Sequence, residues 1–168
     1  MAARLAPVAV ALDAPDLATA LTWAGAVDGV VSTLKVGLQG FLRDGAEGVT
    51  AVREAAPNCG LFLDLKLHDI PNTVAQGLAS LMKLAPAPAI MNVHASGGFD
   101  MMKAAKEAVG GSVKLIGVTI LTSLSNENIW AAGFDNRKTD EHALNLARLA
   151  HKAGLDGVVC SPHDLAAI

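Results

Sequence analysis

Leu61-Phe62-Leu63-Asp64-Leu65-Lys66-Leu67-His68 sets leucine at every odd position and an aromatic, charged or imidazole group at every even one. Side chains alternate faces along a strand, so the spacing predicts leucines packed under helices and Asp64, Lys66 and His68 on the opposite, inward face. Two opposite charges on an inward face must give up hydration that only good pairing restores. Such residues are a poor way to gain stability, and they mark this strand as the place to look for chemistry. For an arbitrary Asp-x-Lys in a strand, a structural ion pair is the competing explanation.

Outward from this segment, short apolar runs alternate with longer alanine-rich stretches of helical period along the chain. Strands are predicted at Val8 to Asp13, Ser32 to Val36, Leu61 to Lys66, Ile90 to His94, Lys114 to Thr119 and Gly157 to Ser161. Helices are predicted near Leu17 to Ala24, Gly40 to Ala56, Asn72 to Leu84, Gly98 to Val109 and Asp140 to Ala153. The polar stretch Ser125 to Lys138 reads either as a lid or as a short helix with ordinary loops. Six βα repeats fit an open doubly wound sheet or a (β/α)8 TIM-type barrel of which residues 1–168 cover about the first six units.

Polar residues decide between these. Asp13, Lys35, Asp64 with Lys66, His94, Thr119 and Ser161 stand near the C-terminal ends of successive strands. A barrel converges such ends on one face, where its sites are built. An open sheet concentrates function at one switch point, usually with a glycine-rich first turn, whereas the first turn here is Asp13-Ala14-Pro15-Asp16. The reading is an α/β barrel forming one incomplete domain over residues 1–168.

Composition bounds the partners. The chain of 168 residues is 52% hydrophobic with a formal net charge of −3, enough for one core and without the global basic field of a nucleic-acid binder. It has no tyrosine, which argues against a stacking surface for single strands. Cys59 and Cys160 have no zinc-ligand spacing and read as buried thiols, and Trp23 and Trp130 as packing residues. The stretch Met1 to Pro7 lacks the apolar core of a leader, and no run is long enough for a membrane span. A cytoplasmic protein without membrane partner is expected.

The segment Asp64-x-Lys66-x-x-Asp69, continued by Ile70-Pro71-Asn72-Thr73 and preceded by Leu34-Lys35-Val36-Gly37, resembles the signature of orotidine 5'-monophosphate decarboxylases. The resemblance extends to Ala11-Leu12-Asp13, to Val93-His94-Ala95 with Gly97-Gly98, and to Val118-Thr119-Ile120-Leu121-Thr122-Ser123. It implies a carbon-carbon lyase of pyrimidine biosynthesis that uses neither metal nor organic cofactor and takes orotidine 5'-monophosphate to uridine 5'-monophosphate.

In that resemblance Lys66 is the ammonium that stabilises the carbanion at C6 and then protonates it. Asp64 lies near the departing carboxylate, and Lys35 holds Asp64 and contacts the ribose, as does Asp13. Asp69 and Thr73 reach the neighbouring subunit's site, which makes the protein a homodimer with shared active sites. Substrate contacts are expected from the whole segment Asp64, Leu65, Lys66, Leu67, His68, Asp69, Ile70, Pro71, Asn72 and Thr73, and Thr122 rather than Ser123 is expected at the pyrimidine edge. His68 and His94 read as supporting groups, and His142, His151 and His163 as surface residues.

The resemblance also implies two further βα units with a phosphate-gripping loop, so the sequence reads as part of a longer protein and residues 1–168 alone are expected to be inactive or nearly so. Two rivals stand beside this reading. Related barrels acting on sugar phosphates, the 3-keto-gulonate 6-phosphate decarboxylases and hexulose-phosphate synthases, share Asp-x-Lys-x-x-Asp but use magnesium, and they resemble this chain less because they carry a glutamate at the position of Lys35. The other is a non-enzymatic binding module, against which the intact charged positions speak.

Overall fold

Residues 5–168 are described by a computed structural model, and Met1 to Arg4, part of the N-terminal stretch read for a leader, lie outside them. Six strands alternate with helices and follow one another in sequence order through the sheet. The strands are β1 (Ala6–Ala11), β2 (Val31–Gly37), β3 (Gly60–Leu67), β4 (Ile90–His94), β5 (Lys114–Val118) and β6 (Gly157–Val159). The helices are α1 (Leu17–Val27), α2 (Leu38–Ala55), α3 (Pro71–Leu81), α4 (Phe99–Val109), α5 (Asn126–Ala131) and α6 (Thr139–Lys152). Two compact units divide these elements.

The first unit comprises residues 5–65 with Ala79–Met91. Strands β1, β2 and β3 pair in parallel, with Ala11 opposite Lys35, Lys35 opposite Phe62 and Gly37 opposite Asp64. Leu34, Leu61 and Leu63 are almost wholly buried, each contributing roughly 1.5–3 kcal/mol by leaving water. Helix α1 begins where the Asp16 carboxylate accepts the Thr19 N–H at 2.7 Å, and it buries Ala20 and Ala24, one helical turn apart. Trp23 lies off that stripe and is 44% exposed, contrary to its reading as a packing residue.

Helix α2 is not the single helix expected over Gly40 to Ala56, because Gly45 takes φ 61° and ψ −154° and breaks it. Only glycine adopts such a backbone without a steric penalty. Cys59 is buried and donates to the Val31 carbonyl at 3.3 Å, and burial, with the nearby Asp28 carboxylate, pushes its thiol up.

The second unit comprises Lys66–Leu78 with Asn92–Ile168. Its core gathers Val74 and Leu78 of α3, Met101, Met102 and Ala105 of α4, Leu115 and Val118 of β5, and Ala143, Ala147 and Ala150 of α6. Strands β5 and β6 pair in parallel, Gly117 opposite Val158. A Cβ on Gly117 would lie 3.2 Å from both Ala150 and Leu155, so the bare glycine lets α6 seat closely on β5.

The stretch Ser125 to Lys138 contains α5, opened by a capping box in which Ser125 accepts the Asn128 N–H and Asn128 Oδ1 accepts the Ser125 N–H. Trp130 on this helix is 38% exposed, and its indole N–H donates to the Arg137 carbonyl at 2.8 Å. His142 is not a surface residue as its sequence position suggested. It falls on the buried stripe of α6, edge-on to Phe134, with Nε2 3.3 Å from Asp135 Oδ1. Arg137, and to a lesser degree His142, hold the Asp135 carboxyl down at about 2. His151 and His163 are exposed.

Asp156 ties this unit together. Its Oδ2 accepts the Leu115 N–H at 2.8 Å and the Lys106 ammonium at 2.6 Å. Burial raises its carboxyl, but these partners outweigh burial and leave it below the ordinary 3.8. A carboxyl lowered on folding stabilises above its unfolded pKa, and that contribution is lost as pH falls through the folded pKa. Asp156→Asn is therefore expected to cost about 1 kcal/mol near neutral pH, the pair being partly solvated. Thermal melts across pH check this: the gap between variant and parent closes below about pH 4, near the ordinary carboxyl value.

Candidate active site

Register places three charged groups of the first unit together. Lys35 stands opposite Ala11 on one side and Phe62 on the other. Asp13 and Asp64 each lie two residues further along the neighbouring chains, on the face that Lys35 shares. The lysine reaches diagonally between them, with Nζ 3.2 Å from Asp64 Oδ2 and 3.7 Å from Asp13 Oδ1.

The two contacts differ in weight. Asp64 has a side chain only 10% exposed and depends on its counter-ion, whereas that of Asp13 is 61% exposed and its pairing is screened by water. Gly37 explains how the ammonium fits: a Cβ there would stand 3.3 Å from both Asp13 Oδ1 and Lys35 Nζ. The missing side chain is the space the charges occupy. Lys35 also anchors the end of β1 through its carbonyl, which accepts the Leu12 N–H at 3.0 Å.

Further along β3 the regular alternation stops. Lys66 has φ 52°, the single positive value among the described non-glycine residues. Parity therefore carries from Leu61 to Asp64 as expected, but cannot by itself orient Lys66. A left-handed backbone costs an L-residue about 1–2 kcal/mol, because Cβ crowds the following carbonyl oxygen. The Lys66 N–H donates at 2.8 Å to the side-chain Oδ1 of Asn92, a residue 1% exposed in the middle of β4. Asn92 was not among the sequence-read candidates. Its signal was an amide inside the apolar run Ile90-Met91-Asn92-Val93.

The remaining candidates of this segment lie in the second unit. Leu67 is partly buried, while His68, Asp69, Ile70, Pro71, Asn72 and Thr73 are exposed. The His68 and His94 rings stand 5.6 Å apart between centroids, tilted by 40°. Asp69 Oδ1 accepts the Ile70 N–H at 2.7 Å, the Ile70 carbonyl accepts the Val74 N–H at 3.2 Å, and Pro71 opens α3. Proline suits that first position, where its missing N–H would have no partner. Asn72 and Thr73 thus project from a first turn whose backbone is already held.

Thr119 is buried and bonded to the Val159 carbonyl through both its N–H and its hydroxyl, which makes it a tie between β5 and β6. Thr122 is exposed and lines a cleft with Lys138, Thr139, Ser161, His163 and Asp164. Ser161 and Asp164 cap the turn Pro162–Asp164, which is why β6 ends at Val159 and not at Ser161. Among the described residues no three His, Cys, Asp or Glu side chains gather as ligands for a metal ion. No helix among them is long and apolar enough to cross a membrane.

The model of the orotidine 5'-phosphate decarboxylase / HUMPS family matches residues 6–168. The chain is 50% identical over 163 residues to an orotidine 5'-phosphate decarboxylase of Thermobifida fusca, covering 97% of this chain and 68% of that one. Among solved structures, orotidine 5'-phosphate decarboxylase from Lactobacillus acidophilus superposes with a TM-score of 0.81 at 35% identity, covering 95% of this chain and 73% of that one. Orotidine 5'-monophosphate decarboxylase from Methanocaldococcus jannaschii, complexed with inhibitor BMP, gives a TM-score of 0.78 at 25% identity over 96% and 72% of the two chains. The six βα units are accordingly those of an α/β TIM-type barrel. With nearly its whole described length matched and half its residues shared with such a relative, the chain belongs to the orotidine 5'-phosphate decarboxylase / HUMPS family.

Proposed function

We propose that the protein decarboxylates orotidine 5'-monophosphate to uridine 5'-monophosphate, with Lys66 as the reacting ammonium. The bond from C6 of the pyrimidine to its carboxyl carbon breaks, carbon dioxide leaves, and the electron pair stays on C6. A cation already oriented beside C6 stabilises that charge better than water, which would have to reorganise. Lys66 then gives its proton to C6 and regains one from solvent. Asp64, beside the departing carboxylate, is paired with and placed by Lys35, and Asp13 and Lys35 together face the ribose hydroxyls. Thr122 serves the pyrimidine edge.

The observation that carries this reading over the sugar-phosphate branch of the family is the 3.2 Å pair between Lys35 and Asp64. An ammonium already neutralises the carboxylate, so a divalent cation drawn to Asp64 would meet like charge. Relatives at 44–50% identity that bear the name orotidine 5'-phosphate decarboxylase support the same substrate.

Asp69, just before α3, and Thr73, on its first turn, are both exposed, and we assign them to a neighbouring subunit's site in a homodimer with shared active sites. The test has two arms. The natural protein is expected to release carbon dioxide from orotidine 5'-monophosphate at a rate unchanged by a chelator, and to leave 3-keto-gulonate 6-phosphate intact with added magnesium; the reverse pattern would overturn the substrate assignment. Mixing inactive Lys66→Ala and Asp69→Ala subunits is expected to restore about a quarter of the parental activity, since half the dimers are mixed and one of their two sites is whole. No recovery on mixing would remove the shared site.

A further inference from the structure

We infer that Asn92 is a positioning residue for the decarboxylation, fixing the left-handed backbone of Lys66 and through it the starting point of the reacting ammonium. The inference rests on the assignment of Lys66 as that ammonium. Its basis is the one described bond from Lys66 N–H to Asn92 Oδ1, at 2.8 Å, coinciding with the one positive φ among the described non-glycine residues.

A strand residue ordinarily gives its N–H to a backbone carbonyl of a neighbouring strand. Here the acceptor is a side chain contributed from 26 residues further along the chain. Rotating φ to a positive value turns the Cα–Cβ bond to a direction that a regular strand does not offer, so the long lysine side chain begins on a different line. Such a backbone persists only where its surroundings hold it. A flexible lysine on a fixed stem loses less order on reaching the transition state.

The residue type is informative as well. Asn92 is 1% exposed between Met91 and Val93, themselves at 1% and 0%. An amide in such a place is costly unless bonded, and an apolar side chain would pack there without that demand. Aspartate could accept the same bond but would bring a buried charge.

The experiment compares Asn92→Leu, which fills the volume without an acceptor, Asn92→Ala, and Asn92→Asp, which restores an acceptor oxygen. In the natural protein the Leu and Ala variants are expected to lower kcat by about a hundredfold with KM within about threefold, because a misplaced ammonium weakens the transition state and not substrate binding. Asn92→Asp is expected to recover most of the loss. In the ligand-free protein, amide exchange at Lys66 is expected to quicken by about tenfold or more in the Leu and Ala variants and to slow again with Asp.

A kcat within twofold of the parent in a folded Leu or Ala variant, an Asp variant no better than Leu, or unchanged exchange at Lys66 would each overturn the inference. The arms also separate two failures. Full turnover by Lys66→Ala would reject the ammonium assignment, whereas the exchange measurement tests the hold of Asn92 on Lys66 independently of activity.

Discussion

Replacing Lys66 with alanine is expected to lower kcat by at least about a thousandfold while leaving the fold intact. Removing one preorganised donor from a charge-stabilising site already costs about a hundred- to a thousandfold. Lys66 is asked for two things, stabilising the electron pair at C6 and then delivering the proton, so its loss should reach or exceed the upper end of that range. Stability should hardly fall, because a strained, partly exposed lysine contributes little to it. Steady-state turnover of orotidine 5'-monophosphate beside thermal melting checks both halves. Retained turnover would remove Lys66 from the chemistry, and collapse of the fold would make its role structural.

The second large effect concerns Lys35 and Asp64. Lys35→Met leaves a carboxylate that is 10% exposed without the ammonium 3.2 Å away, and breaking such a pair costs about 3–5 kcal/mol. Activity should fall with it, since Asp64 loses its counter-ion and its place. The informative variant is the double replacement Lys35→Met with Asp64→Leu, in which both charges give way to apolar groups of similar size. It is expected to regain parental stability or exceed it while remaining inactive, because desolvating an ion pair can cost as much as its attraction returns. Denaturant melts and turnover on the same preparations decide the matter. A double variant as unstable as the single one would mean that the pair exists to hold the fold.

These two experiments probe features of different visibility in the sequence. The pairing of Lys35 with Asp64 was legible, because charges at the ends of adjacent parallel strands on one parity have few other places to go. Its distance and the part played by Gly37 were not, since both follow from the register that sets Gly37 opposite Asp64. The backbone of Lys66 was hidden altogether. Lysine has no intrinsic preference for positive φ, and the support comes from a buried amide far along the chain.

The element order was readable for a different reason. Strands of five to eight residues such as β3 and β4 bury nearly continuous apolar runs, and helices such as α4 and α6 carry apolar stripes of helical period. Misreadings arose where a local cue was overruled or overlooked. Asp44-Gly45 inside a helical pattern marked the break in α2, whereas α5 is the short helix that was one of the two readings of Ser125 to Lys138. His142 looked exposed because a polar residue near a helix start usually is, but Phe134 and Asp135 fold back over it. The roles of Asp69 and Thr73 toward a second subunit came from the family resemblance, as nothing in one chain's spacing reports on its neighbour.

On the proposed reading, the charged ends of β2 and β3 expel a carboxyl group from a nucleotide and protonate the carbon left behind. The most direct test of that reading is nuclear magnetic resonance of orotidine 5'-monophosphate incubated with the natural protein in deuterated water without added metal. Uridine 5'-monophosphate carrying deuterium at C6 is expected, with one carbon dioxide released for each molecule formed. Unchanged substrate under these conditions, or carbon dioxide without deuterium at C6, would contradict it.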